Sequence, residues 1–400
     1  MLLTFVNVKL KRRKCNRNVS RYAERGSVMK VDPFLVERFI GAYEHDVEVN
    51  LAETCVDPFT LSEFLSLMGR ENFFEEFKGT QLTYGFVDGS LDLRQGIADL
   101  YDHMKPENIL IAGGAIGANF LVFYTLVEPG DTVISIFPAY QQLYSVAKSF
   151  GAKVKLLWLR EKNLWLPDIN ELSELVDDKT KLIVLINPHN PTGSLIDANL
   201  LKKICSIAED AGAYLLCDET YRGLYIRPND FVPSAVDLSE RAVATGSFSK
   251  AFSLTGLRLG WIAANKQVIE ECKLHRDYTT ISNGLIDDAL ASLAMKHVNQ
   301  IYERSLKIIR ANYKILSQWI EDEPLIDWVP PKAGSIAFLR YNLKMPSEDL
   351  CLRLIREKGT LLVPGSCFGM EGYLRIGYGC KTEVLKEGLS RFKGFLNSYR

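Results

Sequence analysis

A chain of 400 residues with net charge −1, 47% hydrophobic and 24% charged residues has the composition of a globular protein long enough for two or three domains. That balance excludes a global field that would draw nucleic acid or a membrane surface, and no apolar run approaches the roughly 18 residues of a membrane span. Eight cysteines without CxxC spacing fit reduced thiols in the cytoplasm, and five histidines without an HxxxH or HExxH pair give no expected metal centre.

In chain order, residues 1–28 come first, with eight Lys or Arg against the single acid Glu24. The charges follow the short apolar run Leu2–Val8, the reverse of a signal peptide. We expect a disordered basic extension there, with folded sequence beginning near Met29. Residues 30–45 read as helical. Short apolar runs then alternate with helical patterns. The expected strands are Asn108–Ala112, Asp131–Phe137, Lys153–Leu159, Lys181–Ile186, Tyr214–Cys217, Arg241–Thr245 and Leu259–Ala264. Helices fall between the earlier of them, over Gly117–Val127, Gln141–Phe150, Ile169–Val176 and Asp197–Ala211. This alternation predicts βαβ units and an α/β fold whose mostly parallel sheet is sandwiched by helices, over residues 76–280. After Asn283 the pattern changes to a long helical region, Leu285–Glu321. Short strands (Ile336–Arg340, Gly372–Ile376) and helices (Ser347–Lys358, Glu383–Tyr399) follow. Residues 281–400, with 29–75, are expected to form a smaller α+β domain and an N-terminal arm.

Gly and Pro punctuate the expected strand ends, where ligands bind in such sheets. Ala112-Gly113-Gly114-Ala115-Ile116-Gly117-Ala118 joins a strand to a helix with residues small enough for backbone N–H groups to approach a phosphate. It matches neither a Walker loop nor GxGxxG. In Pro138-Ala139-Tyr140 the tyrosine is either a ring-stacking residue or a core residue. Asn187-Pro188-His189-Asn190-Pro191-Thr192-Gly193 fixes the Asn190 amide in a rigid loop, suited to a ring oxygen. Asp218 ends a buried strand, where a carboxylate needs a partner: either a pyridinium N–H or the N-terminus of a following helix. Tyr221 lies three residues further on. In Ser247-Phe248-Ser249-Lys250, followed by Arg258, one lysine sits beside a hydroxyl and a guanidinium suited to a phosphate dianion. Crowding and a second cation are expected to lower the Lys250 pKa, which suggests a pyridoxal 5′-phosphate Schiff base. Arg375, set in the apolar run Leu374–Ile376, faces either a carboxylate or a structural salt bridge.

In combination and order, Tyr84-Gly85, Gly114-Ala115, Pro138-x-Tyr140, Asn190-Pro191-Thr192-Gly193, Asp218-x-x-Tyr221, Ser247-x-Ser249-Lys250, Arg258 and Arg375 resemble the fold-type I pyridoxal-phosphate enzymes of the class I/II aminotransferase family. The resemblance covers most of residues 45–400. It implies that Lys250 binds the cofactor and shuttles the Cα proton, with Asp218 on the pyridine nitrogen. It further implies Asn190 and Tyr221 on the ring hydroxyl, Tyr140 stacked on the ring, and Ala115, Ile116, Ser247, Ser249 and Arg258 at the phosphate. Tyr84 would reach the phosphate of a neighbouring subunit, so a homodimer is implied. Arg375 with Asn190 would bind the α-carboxylate of an amino acid, with a 2-oxoacid as acceptor. In the family's N-terminal active-site strand a glycine often stands roughly where this chain has Thr54. Here Glu53 lies beside it, either as an acid facing a cationic substrate or as an exposed strand residue. Residues 50–58, 114–120 and 363–369 also resemble members that eliminate a β-hydroxyl from a basic amino acid and cyclise the product, so a lyase or cyclase is the alternative activity. A regulator built on the same fold would need a DNA-binding domain, and residues 1–28 show no helix-turn-helix pattern.

Overall fold

Seven runs of the chain assemble into one sheet; the inner strands are buried on both faces, as strands covered by helices must be, and only the edge strand Lys153–Trp158 is largely open to solvent. The computed structural model describes residues 31–399; the basic extension expected over residues 1–28 lies outside them. In chain order the strands are β1 (Val49–Asn50), β2 (Ile109–Ala112), β3 (Thr132–Phe137), β4 (Lys153–Trp158), β5 (Thr180–Ile186), β6 (Tyr214–Asp218) and β7 (Ala242–Ser247). They continue with β8 (Gly260–Ala264), β9 (Ile326–Trp328), β10 (Ile336–Tyr341), β11 (Thr360–Leu361), β12 (Val363–Pro364) and β13 (Tyr373–Gly377). The large sheet has the order β2-β8-β7-β6-β5-β3-β4. Its pairings are parallel except those of β8, which runs antiparallel to both β2 and β7. The reason lies in the connection between β7 and β8. Parallel neighbours need a crossover of about a dozen residues or more, usually a helix. Phe248–Leu259 contains only one 3-10 turn, Thr255–Leu257, so the chain doubles back. That doubled-back loop carries Lys250.

Helices cover the sheet where the periodicity predicts them. Ala198–Asp210 is typical: Asp197 accepts from Leu200 N at 2.8 Å, and Leu201, Ile204, Cys205 and Ala208 recur on the buried face. Each such fully buried leucine or isoleucine contributes about 1.5–3 kcal/mol. The long region Leu285–Glu321 is two helices, Leu285–Lys296 and Val298–Glu321, because His297 leaves the helical conformation at ψ 25°. Four further helices were not legible in the apolar pattern: Leu61–Leu67, Phe73–Phe77, Leu91–Ala98 and Lys266–Arg276. The first does carry a local signal, a capping box in which Thr60 and Glu63 satisfy each other's backbone N–H.

A second, antiparallel sheet has the order β12-β13-β10-β9, and β1 pairs in parallel with β11 beside it. The expected N-terminal active-site strand is short. β1 ends at Asn50, and residues 51–60 are irregular, so Glu53 is an exposed loop residue and not a strand residue. This segment is still held tightly. Gly377 N donates to Leu51 O at 2.7 Å, and a Cβ at Gly377 would lie 1.7 Å from the Glu53 carbonyl oxygen. Only glycine permits that approach, which fixes the segment around Glu53 against the end of β13.

Candidate active site

The carboxyl ends of the parallel strands open into one cavity of about 370 Å³. Each loop singled out by sequence contributes to its wall. Ala115 and Ile116 enter from the start of the Gly114–Leu126 helix, Tyr140 from the turn after β3, and Asn190 from the loop after β5. Asp218 ends β6, Tyr221 lies in the turn beyond it, Ser247 ends β7, and Ser249, Lys250 and Arg258 come from the β7–β8 loop. Arg375 rises from β13, and Glu53 and Thr54 from the segment after β1. Tyr84 is not among the lining residues of this chain; its side chain is 79% exposed.

The wall has a definite hydrogen-bond structure. Asp218 accepts from Asn119 Nδ2 at 2.8 Å and from Thr220 N at 3.0 Å, and Asn119 Oδ1 in turn accepts from Thr245 Oγ1 at 2.6 Å. Asn119 was not picked out from sequence. Its signal was there: it is the one amide in the otherwise apolar helix segment Gly114–Leu126. The Lys250 ammonium donates to Thr54 Oγ1 at 2.6 Å and to Cys55 Sγ at 3.4 Å, and lies 6.0 Å from the centre of the Tyr221 ring. Thr54, expected on the substrate side, thus holds the lysine. The expected lowering of the Lys250 pKa is corrected by the same geometry. Burial opposes the charge, but Cys55, Tyr221 and Glu53 favour it, and the balance lies above the ordinary lysine value. Burial also raises the Tyr221 phenol, against the pull of Lys250 and Arg375.

Arg375 is 3% exposed. It donates to Asn190 Oδ1 at 3.3 Å and to Ala52 O at 3.0 Å, while its Nε has no partner. Asn190 also lines the cavity. The loop that holds it is braced by buried His189, whose ring nitrogens meet Thr192 Oγ1 at 2.7 Å and Pro138 O at 2.9 Å. Burial pushes the His189 pKa down to about 3, so the brace is neutral at working pH.

A phosphorylated pyridine aldehyde fits this donor set. An amine, a strand-end carboxylate and an uncapped helix N-terminus face one space, and the helix leaves its first N–H groups free for a phosphate. Arg258 stands over that helix start, where a Cβ on Gly114 would lie 3.2 Å from Arg258 Nη2. A Cβ on Gly260 would lie 2.5 Å from Ala115 N, so β8 presses the helix start into place through bare backbone. Tyr140 presents its ring beside Phe34 at 4.6 Å between centroids, and its hydroxyl donates to Glu37 at 2.7 Å. Glu37, Ile40, Gly41 and Glu44 of the Leu35–Tyr43 helix and its C-cap complete the wall. Sequence did not single them out, because only tertiary packing brings that helix to the cavity.

The family model described as aminotransferase class I and II matches residues 68–392. Capreomycidine synthase of Streptomyces vinaceus is 32% identical over 292 residues, covering 73% of this chain and 75% of its own. An aspartate aminotransferase of Pyrococcus horikoshii is 33% identical over 315 residues, covering 76% of this chain and 81% of its own. Among solved structures, a PLP-dependent aminotransferase from Streptococcus suis has a TM-score of 0.90 at 42% identity, covering 93% of this chain and 99% of its own. The PLP-dependent cyclase OrfR has a TM-score of 0.86 at 25% identity, covering 94% and 100%.

Proposed function

The chain belongs to the aminotransferase class I and II family and is a pyridoxal phosphate-dependent transaminase; on that premise we propose the roles of its residues and the course of its reaction. Lys250 would hold the cofactor through its amine, and the bound cofactor would supply an electron sink for the charge left when the substrate Cα loses its proton. The convergence of Lys250, Asp218, Arg258 and Arg375 on one cavity is the observation that supports these roles.

Lys250 would be the base that takes the substrate Cα proton, its amine positioned by Thr54. Asp218, fixed by Asn119, would set a negative charge at the pyridine nitrogen and favour its protonated form. Asn190 and Tyr221, which line the cavity, would donate to the cofactor's ring hydroxyl oxygen, and Tyr140 would cover its ring. The N–H groups of Ala115 and Ile116, with Ser247, Ser249 and Arg258, would hold the cofactor phosphate. The Arg375 guanidinium, which lines the cavity with Asn190 beside it, would take the substrate α-carboxylate. Residues 76–280 carry the cofactor contacts, and residues 29–75 with 281–400 supply Glu53, Thr54 and Arg375 on the substrate side.

Transamination consumes one 2-oxoacid for each amino donor. Purified enzyme given an L-amino acid and 2-oxoglutarate should form glutamate in equal amount with the new 2-oxoacid. The similarity to capreomycidine synthase and OrfR, with the Thr54 hydroxyl 2.6 Å from Lys250, favours a lyase or cyclase as the second reading. A β-substituted basic amino acid converted without any 2-oxoacid consumed would establish that reading and remove the first.

The working unit is a homodimer in which Tyr84 of each copy reaches the phosphate held by the other. The exposure of Tyr84 with Leu82, Phe86 and Val87, 51% to 83% along one segment, is the apolar surface such a contact would cover. Light scattering should give twice the 45.2 kDa chain mass, and a monomer that turns over would end this assignment. The seven cysteines among the described residues are free thiols, which suits a reducing cytoplasm. No helix among the described residues is long and apolar enough to cross a membrane.

A further inference from the structure

The cavity is electrically divided. Lys250, Arg258 and Arg375 supply its cations, and Asp218 is engaged by Asn119 and Thr220. Three more carboxylates line the same space, Glu37, Glu44 and Glu53, all from the N-terminal part of the chain. None has a Lys or Arg partner within 4.0 Å among the described residues; Glu44 lies 3.6 Å from the exposed His45, and Glu37 accepts only the Tyr140 hydroxyl. Glu53 accepts from Cys55 Sγ at 3.9 Å and acts on Lys250 only from beyond ion-pair distance. Carboxylates gathered at a cavity without ion-paired partners repel one another, and each gains from a cation that enters between them.

The second observation fixes which way a ligand lies. Arg375 is buried to 3% exposure, lines the cavity and has no carboxylate partner among the described residues, so its guanidinium calls for an anion. A substrate α-carboxylate taken there, with its amine toward Lys250, leaves the side chain the wall supplied by Glu37, Ile40, Gly41, Glu44 and Glu53. Glu37 is aimed by the 2.7 Å bond from Tyr140, and Phe34 at 4.6 Å steadies that ring. An aspartate or glutamate side chain would bring a like charge against this wall, whereas an amine or guanidinium would be answered by charge-assisted hydrogen bonds. All three carboxylates precede residue 68, where the matched family segment begins, so this selectivity belongs to a part of the chain outside that match.

We propose that the preferred amino donor is an α-amino acid with a cationic side chain, selected by Glu37 and Glu53 with Glu44 in the same wall. The proposal deepens the transaminase reading and rests on it. It is tested with matched substrates that differ only in the distal charge: ornithine against norvaline, and lysine against norleucine, with aspartate as the anionic case. The half-reaction is followed by the change in cofactor absorbance, on wild type, Glu37→Gln, Glu53→Gln and the double variant. In the wild type kcat/KM for ornithine or lysine should exceed that of its uncharged partner at least about tenfold, with aspartate slowest. Each substitution should reduce that charged-to-neutral ratio by about 10- to 100-fold, the range for a lost hydrogen bond to a charged group. Being a ratio within one protein, it is insensitive to a variant that folds less well. Norvaline or aspartate used as fast as ornithine, or a ratio untouched by both substitutions, overturns the proposal and leaves transamination standing. No half-reaction with any amino acid removes the transaminase reading, and the proposal with it.

Discussion

A Lys250→Ala protein is expected to lose the half-reaction with L-amino acids by about 10⁴-fold, the upper range for a positioned proton-transfer group. The argument begins with the loop. Because β8 turns back beside β7, Phe248–Leu259 is short and anchored at both ends by sheet hydrogen bonds. Ser249 N donates to Ser247 Oγ at 2.9 Å, and Thr255 Oγ1 donates to Ser249 O at 3.0 Å, so the residue before Lys250 is fixed on both sides. The amine itself is placed by Thr54 Oγ1 and Cys55 Sγ. Alanine removes the amine and leaves this frame, so the loss should appear in the chemical step, with the cofactor still held through Arg258 and the helix start. Single-turnover absorbance measures that step. Partial rescue by added small amines such as methylamine separates a missing base from a disturbed fold, since a structural defect would not respond. A variant within tenfold of wild type would remove Lys250 from proton transfer.

Much of the site was legible because its residues lie at the ends of strands. Buried parallel strands advertise themselves as apolar runs, and the loops after them carry Gly, Pro and polar residues that a core would not tolerate. Asn190 and Asp218 were singled out this way, Lys250 by the hydroxyls and Arg258 around it and Arg375 by its cost inside an apolar strand, and the fold brings all four to one cavity. What escaped was whatever depends on contacts distant in sequence. Glu37 is an ordinary helix carboxylate until the Leu35–Tyr43 helix packs beside Tyr140, 103 residues away. The direction of the Lys250 pKa was misjudged for the same cause. Sequence displayed the neighbouring Arg258, whereas the groups that act on the amine are Cys55, Tyr221, Glu53 and Arg375, none within the same loop. The reversed strand β8 belongs to the same class. Its apolar pattern does not encode direction; the short, helix-free link before it does.

Asp218→Asn is expected to slow the half-reaction by about 10²- to 10³-fold while cofactor still binds, the magnitude seen when one preorganised electrostatic contact to developing charge is removed. The carboxylate ends β6, a central strand with β5 and β7 on either side, so its backbone has little freedom. Asn119 Nδ2 and Thr220 N, at 2.8 and 3.0 Å, orient its oxygens, and Thr245 Oγ1 locks Asn119 in turn. Asparagine keeps the shape and loses the charge. Its carbonyl can satisfy one of the two donors, and its NH₂ then meets the other donor, a mismatch worth about 1–3 kcal/mol of stability. A modest fall in Tm should therefore accompany a much larger fall in rate. The two effects separate at Asn119→Ala, which leaves the Asp218 charge but frees its orientation. If charge governs the step, that variant should retain more activity than Asp218→Asn; if the reverse holds, placement of the carboxylate outweighs its charge and the electrostatic role assigned to Asp218 is wrong.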